Sequence, residues 1–350
     1  MVAYYDAATP LIPAQHQPAV LLEHLRSLDV DPGPLLAGAG LPTFGFDRPD
    51  AHCAPTQLLA LLRSAAQALR DPELAFQLGR DLLPGHYGAA SHALLTAGTL
   101  RRALHVMSTH GARLSPLLVP HVAVEGRLAM LYWTDACASA GMRAFLVDMQ
   151  MSAVAAACHW LAGERLPWQY LFNRGGPRQR DAHEVHLGTD LHFNCHLDAM
   201  VIDAGWLDHP WANPRTLRSP AIAEALDREA AAQEPRRHLL ALVYAHLLER
   251  VRCAPGLEDT AAAFAMSAAT FKRRLAACGT HFQAELDQVR LHTALRLMHG
   301  HGLDNEAIGR YLGFEDPANF RRSMKRWAGL TPAQLRLRLG GLPGDGGVFA

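Results

Sequence analysis

The sequence predicts a multidomain protein in which an α+β N-terminal domain precedes an all-α domain made of two helix-turn-helix units. Three observations carry that prediction. The chain has 350 residues, 49% of them hydrophobic, which is long for one domain and enough for two packed cores. Its formal net charge of zero conceals a split: residues 1–236 hold 18 Lys and Arg against 23 Asp and Glu, and residues 237–350 hold 15 against 10. The basic C-terminal unit, finally, contains one motif twice. A basic unit on an acidic body points to nucleic acid or an anionic surface as its partner.

The N-terminal elements follow from periodicity. Between Ala51 and about His110, "APTQLLALLRSAAQAL", "DPELAFQLGRDLL" and "TLRRALHVMSTH" repeat apolar residues at three and four, the helical spacing, with Asp71 as N-cap before Pro72. "LLVPHVAVEGRLAMLYWT", from Leu117 to Thr134, alternates about "EG" as a β-hairpin does. A long apolar helix over 140–163 follows, and "WQYLFNR", "LHFNC" and "AMVID" read as short strands. Residues 1–212 therefore form an α+β domain for sensing or dimerisation. The stretch "WLDHPWANPRTLRSP", rich in proline, marks a boundary, and 213–236 form a linker with the helix "AIAEALDREAAAQ". The glycine-rich residues 341–350 are expected to be a flexible tail.

The repeat appears when Thr260–Leu275 is placed under Ile308–Met324. Ala261 falls on Gly309, Phe264 on Leu312, Ala265 on Gly313 and Met266 on Phe314. After one inserted residue, Phe271 falls on Phe320, Arg273 on Arg322 and Leu275 on Met324. Each copy offers a short helix with a small residue where a second helix must cross, then a tight turn, then a new helix. Ser267 caps the first of these new helices, and Asp316, with Pro317 at the first helical position, caps the second. Helical spacing turns Phe271, Leu275 and Cys278 inward, and likewise Phe320, Met324 and Trp327. Left outside, wholly or in part, are Ala268, Ala269, Lys272 and Arg273 in one helix and Asn319, Arg321, Arg322 and Lys325 in the other. The only lysines of the chain, Lys272 and Lys325, both lie here. Such a pair is the architecture whose second helix enters the DNA major groove. A continuous helix over Phe282–Gly300 would hold the two reading helices about 34 Å apart, one turn of DNA.

The stretch from about Leu257 to Arg338 resembles the DNA-binding domain of AraC/XylS transcriptional regulators. The likeness lies in "MSAATFKRRL", "FQAELDQVRLHTALRLM" and "EAIGRYLGFEDPANFRRSMKRWAGLTPAQLR". Gly309 stands where that family usually has alanine, and Met324 and Leu335 where aromatics are common. "LLAGAGLP", "DPELAFQLGRDLLPGHYG" and "LHFNCHLDAMVIDAGWLDHP" resemble the arabinose-binding-like effector half found in the branch that includes ornithine-utilisation regulators. The resemblance implies a sequence-specific, ligand-responsive activator that recruits RNA polymerase, acts in the cytoplasm and responds to an unidentified small-molecule effector. It leaves room for a homodimer.

Candidate site residues follow. Double-stranded DNA would be met by Ser267, Ala269, Thr270, Lys272, Arg273, Asn319, Arg321, Arg322 and Lys325, with base edges read by the arginines, Lys272 and Asn319 and thymine methyls touched by Ala269 and Thr270. An effector pocket is expected between the 140–163 helix and the strands bearing Trp168, Tyr170 and Phe172. The cluster His183, His186, His192, Cys195 and His196 offers metal-ligating side chains, but "HEVH" misses the H-E-x-x-H zinc spacing by one residue and reads as loop and strand edge. No cofactor is expected. The six cysteines are scattered without a C-x-x-C pair and are read as reduced thiols, with Cys158 in the core or at a subunit interface. No enzyme motif is present: there is neither a G-x-S-x-G elbow nor a phosphate-binding G-x-x-x-x-G-K. No leader pattern and no uninterrupted apolar run of membrane length is read, so no membrane is expected. A competing reading is a constitutive DNA-binding protein whose first domain only dimerises, and a metal-responsive regulator is a further alternative.

Overall fold

"LAMLYWT" in β5 (Leu128–Asp135) is buried at every position from Leu128 to Thr134. Strand side chains alternate between faces, so a strand buried throughout must be covered on both sides. The sequence predicts a hairpin here and the hairpin forms: β4 (Leu118–Glu125) pairs with β5 from Leu118↔Asp135 to Glu125↔Leu128. Gly126, at φ +59°, opens the two-residue turn where a left-handed residue is needed. What alternation did not disclose is that the second face is also covered. A continuous apolar run is the mark of such a strand.

The computed structural model describes residues 4–211, 237–300 and 303–339, apart from Asp47, Pro49, Ala138 and Ala254. The linker helix expected in 213–236 and the tail at 341–350 lie outside the described residues. The N-terminal domain carries α1 (Gln17–Ser27), α2 (Gly33–Gly38), α3 (Pro55–Leu69), α4 (Leu74–Leu82), α5 (Ala89–Leu95), α6 (Leu100–Thr109), α7 (Gly111–Leu114), α8 (Arg143–Ala162) and α9 (Asp181–Leu187). Its main sheet adds β6 (Gln169–Phe172), β7 (Leu191–Phe193) and β8 (Ala199–Asp203) in the order β4-β5-β8-β6-β7, antiparallel except for β6 with β7. Two short pairs lie outside it: β2 (Ile12–Pro13) with β3 (His52–Cys53), and β1 (Tyr4–Tyr5) in parallel with β9 (Arg237–His238).

The inner face of the sheet and the helical layer share one core, with Leu131, Trp133, Tyr170, Phe172, Met200 and Ile202 facing α8 and its neighbours. The helix α8 is apolar on most of its circumference, as a helix enclosed by its own domain must be. By length and composition it could cross a membrane, but 67% of its apolar window is buried inside the fold, so the core accounts for its hydropathy. Gly79 of α4 permits the close approach of α8, because a Cβ there would lie 2.3 Å from the Met149 carbonyl oxygen. Ser152 donates a hydrogen bond to the Phe76 carbonyl at the same crossing, at 2.8 Å.

The outer face belongs to a second core. Leu128, Met130, Tyr132, Leu171, Ala199 and Val201 pack with residues of the C-terminal helices, including Leu240, Val243, Tyr244 and Leu295. All six cysteines are free, and all but Cys253 are buried.

A candidate DNA interface on two helix-turn-helix units

The C-terminal half begins with an entry helix, Leu239–Glu249. The first unit comprises a supporting helix, Leu257–Ala263, and a recognition helix, Ala268–Ala277. A connecting helix, Phe282–Gly300, leads to the second supporting helix, Asn305–Tyr311, and the second recognition helix, Pro317–Ala328. The alignment read from sequence recurs in the hydrogen bonds of the two turns. The Met266 N–H donates to the Ala261 carbonyl at 3.0 Å and the Ala265 N–H to Ala262 at 2.9 Å. At the matching places Phe314 N–H donates to Gly309 at 2.9 Å and Gly313 N–H to Arg310 at 3.2 Å. Both turns close the supporting helix with the paired bonds of a left-handed C-terminal cap. Gly313 takes φ +78° without strain, whereas Ala265 takes +55° with a Cβ to accommodate.

The caps form as expected. The Thr270 N–H donates to Ser267 Oγ at 3.2 Å, and the Ala318 N–H donates to Asp316 Oδ1 at 2.8 Å, with Pro317 opening the helix. Inside each unit Phe271, Leu275, Phe320 and Met324 are fully buried. Gly309 sits against the second recognition helix, where an added Cβ would stand 3.3 Å from Phe320 Cβ. The close crossing that requires a small residue is therefore real in both copies, with Ala261 at 1% exposure filling the same role in the first.

The outward residues are Ala269, Lys272 and Arg273 on the first helix, with Thr270 half-buried, and Asn319, Arg321, Arg322 and Lys325 on the second. Lys272, Arg273, Arg321 and Lys325 make no hydrogen bond or ion pair among the described residues. Ser267 and Thr270 share a hydroxyl bond at 3.1 Å, and Arg322 donates to Asn319 Oδ1. Two further arginines that sequence reasoning left out are tethers. Arg274 lies 3.8 Å from Asp6 of the N-terminal segment, and Arg326 lies 3.2 Å from Asp287 on the connecting helix. No sequence spacing links these partners, because each pair is made by the tertiary fold. The unpartnered cations on two exposed faces can neutralise phosphates and donate to base edges.

The sites expected in the N-terminal domain fare differently. Trp168, Tyr170 and Phe172 are 5%, 3% and 0% exposed. Phe172 stacks on Phe193 at 4.7 Å and carries the Arg174 guanidinium over its ring at 4.8 Å. Tyr170 and Phe172 of β6 and the adjoining Trp168 are thus core residues. The histidine cluster is also dispersed. "HEVHL" lies in α9 rather than in a loop, and His183 and His186 both pack on Phe76, at 4.9 and 5.0 Å between ring centroids. His183 Nε2 lies 2.9 Å from Arg174, His186 Nε2 3.3 Å from Glu73 and His192 Nε2 2.6 Å from Asp190. Each ring has its own partner, and among the described residues no group of three or more His, Cys, Asp and Glu could hold a metal ion.

Where the two halves meet, the polar contacts are specific. Tyr244 on the entry helix donates to Tyr132 Oη at 3.3 Å, and its oxygen lies 3.0 Å from His292 Nδ1 on the connecting helix. His121 of β4 stacks on Tyr132 and lies 2.8 Å from Thr134 Oγ1. Burial, with Arg296 among the nearby cations, pushes both His121 and His292 down to about 3, so both rings are neutral.

A duplicated helix-turn-helix unit with free basic faces, seated on an α+β domain, defines a two-domain transcriptional regulator rather than an enzyme. The chain belongs to the AraC family. Residues 30–211, just over half of it, match the family described as the arabinose-binding domain of AraC transcription regulators, and residues 260–338 match a helix-turn-helix domain family. An uncharacterized HTH-type transcriptional regulator of Mycobacterium tuberculosis is 27% identical over 333 residues, covering 91% of this chain and 94% of its own. The ornithine utilization regulator of Pseudomonas aeruginosa is 24% identical over 331 residues, covering 93% and 96%. The crystal structure of the regulator CdpR from Pseudomonas aeruginosa aligns with 92% of this chain and 98% of its own, at 19% identity and a TM-score of 0.44.

Proposed function

We propose that this regulator is a ligand-responsive activator, working in the cytoplasm, whose two recognition helices enter successive major grooves on one face of DNA. The observation that carries the DNA reading is the repeated turn, which presents unpartnered cations twice from equivalent positions. Lys325, the Ser267 end of the first recognition helix and part of the arginine set hold phosphates and fix the register. Lys272, Arg273, Asn319, Arg321 and Arg322 read base edges, and Ala269 and Thr270 touch thymine methyls. The Arg322–Asn319 bond opens when either side chain takes a base. An effector shifts the balance between DNA-competent and incompetent arrangements of the two halves, and the bound protein recruits RNA polymerase. A homodimer would double the site.

The test uses duplexes selected from a random-sequence pool on the full-length protein. Arg273→Ala should relax base preference at one end of the selected site, and Arg322→Ala about one helical turn away. Each should cost roughly 1–3 kcal/mol if its contact to guanine is bidentate. Overlapping changes in preference would overturn the two-groove arrangement, and uniform weakening on every sequence would assign that arginine to phosphate.

A further inference from the structure

A cavity of about 590 Å³ lies where the two halves meet, within the range of small-molecule sites. Its walls come from every part that would have to move together. Asp135 and Asn173 belong to the N-terminal domain, and residues 278–280 form the turn that ends the first recognition helix. Glu285 and His292 lie on the connecting helix, and Arg326 and Trp327 on the second recognition helix. An occupant of this space touches the turn that ends the first reading helix, the second reading helix and the effector domain at once.

Its polar groups are unequally satisfied. Asp135 is committed, accepting from the Cys137 and Ser139 N–H groups at 2.8 and 2.7 Å, and Asp287 holds Arg326. Glu285 is different. It is 7% exposed, one carboxyl oxygen accepts from Thr280 Oγ1 at 2.6 Å, and the other has no hydrogen-bond partner among the described residues. Burial, with the neighbouring Asp135 carboxylate adding to it, pushes its carboxyl above the usual carboxylate range against the opposing effects of Thr280 and His281. His292, 5% exposed, spends Nδ1 on Tyr244 and leaves Nε2 without a partner among the described residues. Three carboxyl groups thus face one guanidinium, and two nearly buried side chains on one helix keep an unused polar atom beside the cavity.

We infer that this cavity is the effector site and that it takes a small molecule carrying an ammonium or guanidinium group, which donates to Glu285. The inference rests on the reading of the chain as ligand-responsive and gives that ligand a place and a charge. A cation there meets the carboxyl oxygen that Thr280 leaves free. The rest of the ligand fills the space between the N-terminal domain and the second recognition helix, and so sets the position of Arg326 and Trp327.

Titration calorimetry on the full-length protein with putrescine, L-arginine and succinate tests this. At least one of the two cationic probes should bind, and succinate should not. Glu285→Gln, which keeps the acceptor for Thr280, should weaken that binding roughly 10- to 100-fold, the worth of one hydrogen bond to a charged group. Gln288→Arg, which places a fixed cation at another wall residue, should abolish it, and the remote, exposed Glu164→Gln should leave it unchanged. Failure of both cationic probes to bind, equal binding of succinate, or equal affinity in Glu285→Gln with an unchanged melting curve would overturn the site. Operator affinity measured with and without the probe separates the two levels of the argument. Binding that obeys these variants yet leaves operator affinity unchanged supports the site and overturns the ligand-responsive reading.

Discussion

Against the inner face of the five-stranded sheet lie helices of the same domain, and the contact is mainly apolar: Leu131, Trp133, Phe172, Met200 and Ile202 meet leucines, alanines and methionines, with the ion pairs Arg143–Asp198 and Arg174–Asp148 tying α8 to residues at the strand ends. Against the outer face lie the entry and connecting helices of the DNA-binding half. There the apolar contacts surround His121, Tyr132, Tyr244 and His292, which touch one another through rings and hydrogen bonds. The two faces answer to different conditions. An apolar core is indifferent to pH, whereas a contact built around buried neutral histidines loses stability when protons become available. The inner face is built to be permanent, and the outer face is where a change of arrangement costs less.

Three measurements put pressure on that contrast. The largest effect is expected inside: Phe172→Ala should cost about 3–5 kcal/mol in equilibrium urea unfolding, the toll of a fully buried ring. A loss below about 1 kcal/mol would mean that the strand is open to solvent or ligand after all. The second concerns acid. His121 and His292 titrate near 3 in the folded protein and near 6.5 when unfolded, so below about pH 6.5 the unfolded chain binds more protons. Stability should therefore fall as pH drops from about 6.5 toward 3, by about 1 kcal/mol per pH unit for each histidine. His292→Gln should flatten the slope by one histidine's share, and an unchanged slope would remove that ring from the account. The smallest effect is Tyr244→Phe, which deletes the hydroxyl shared by Tyr132 and His292 and should cost about 1 kcal/mol. The same change on an apolar contact would cost nothing, so a neutral result would make the two faces alike.

The C-terminal half was legible because its physics is local. A cap, a tight turn and a small residue at a crossing lie within a few positions of each other, and duplication let each copy check the other. Even the strained position was visible as a pair, Ala265 opposite Gly313. The hairpin and α8 were legible for the same reason. The cavity proposed as the effector site was not, because its walls are brought together from residue 135 to residue 327 and no periodicity records that meeting. Aromatic residues on short strands suggested a pocket at Trp168, Tyr170 and Phe172, but alternation tells which residues share a face, not what covers it. The histidines of α9 misled in a similar way: closeness in sequence places two rings on Phe76 rather than on a common ion.

The parallel pair of β1 and β9 has a consequence for how the protein is made. Tyr4 and Tyr5 pair with Arg237 and His238, so this strand waits for a partner translated more than two hundred residues later. At common translation speeds that wait is about 10–50 s. The sheet is complete once Asp203 has emerged, while the helix that covers its outer face starts only at Leu239. For that interval the nascent N-terminal domain carries Leu128, Met130, Tyr132 and Val201 bare to water, a ready surface for chaperones and for neighbouring nascent chains on the same messenger. Slow codons before residue 237 would lengthen this exposure and fast ones would shorten it, so the yield of folded protein depends on pacing there.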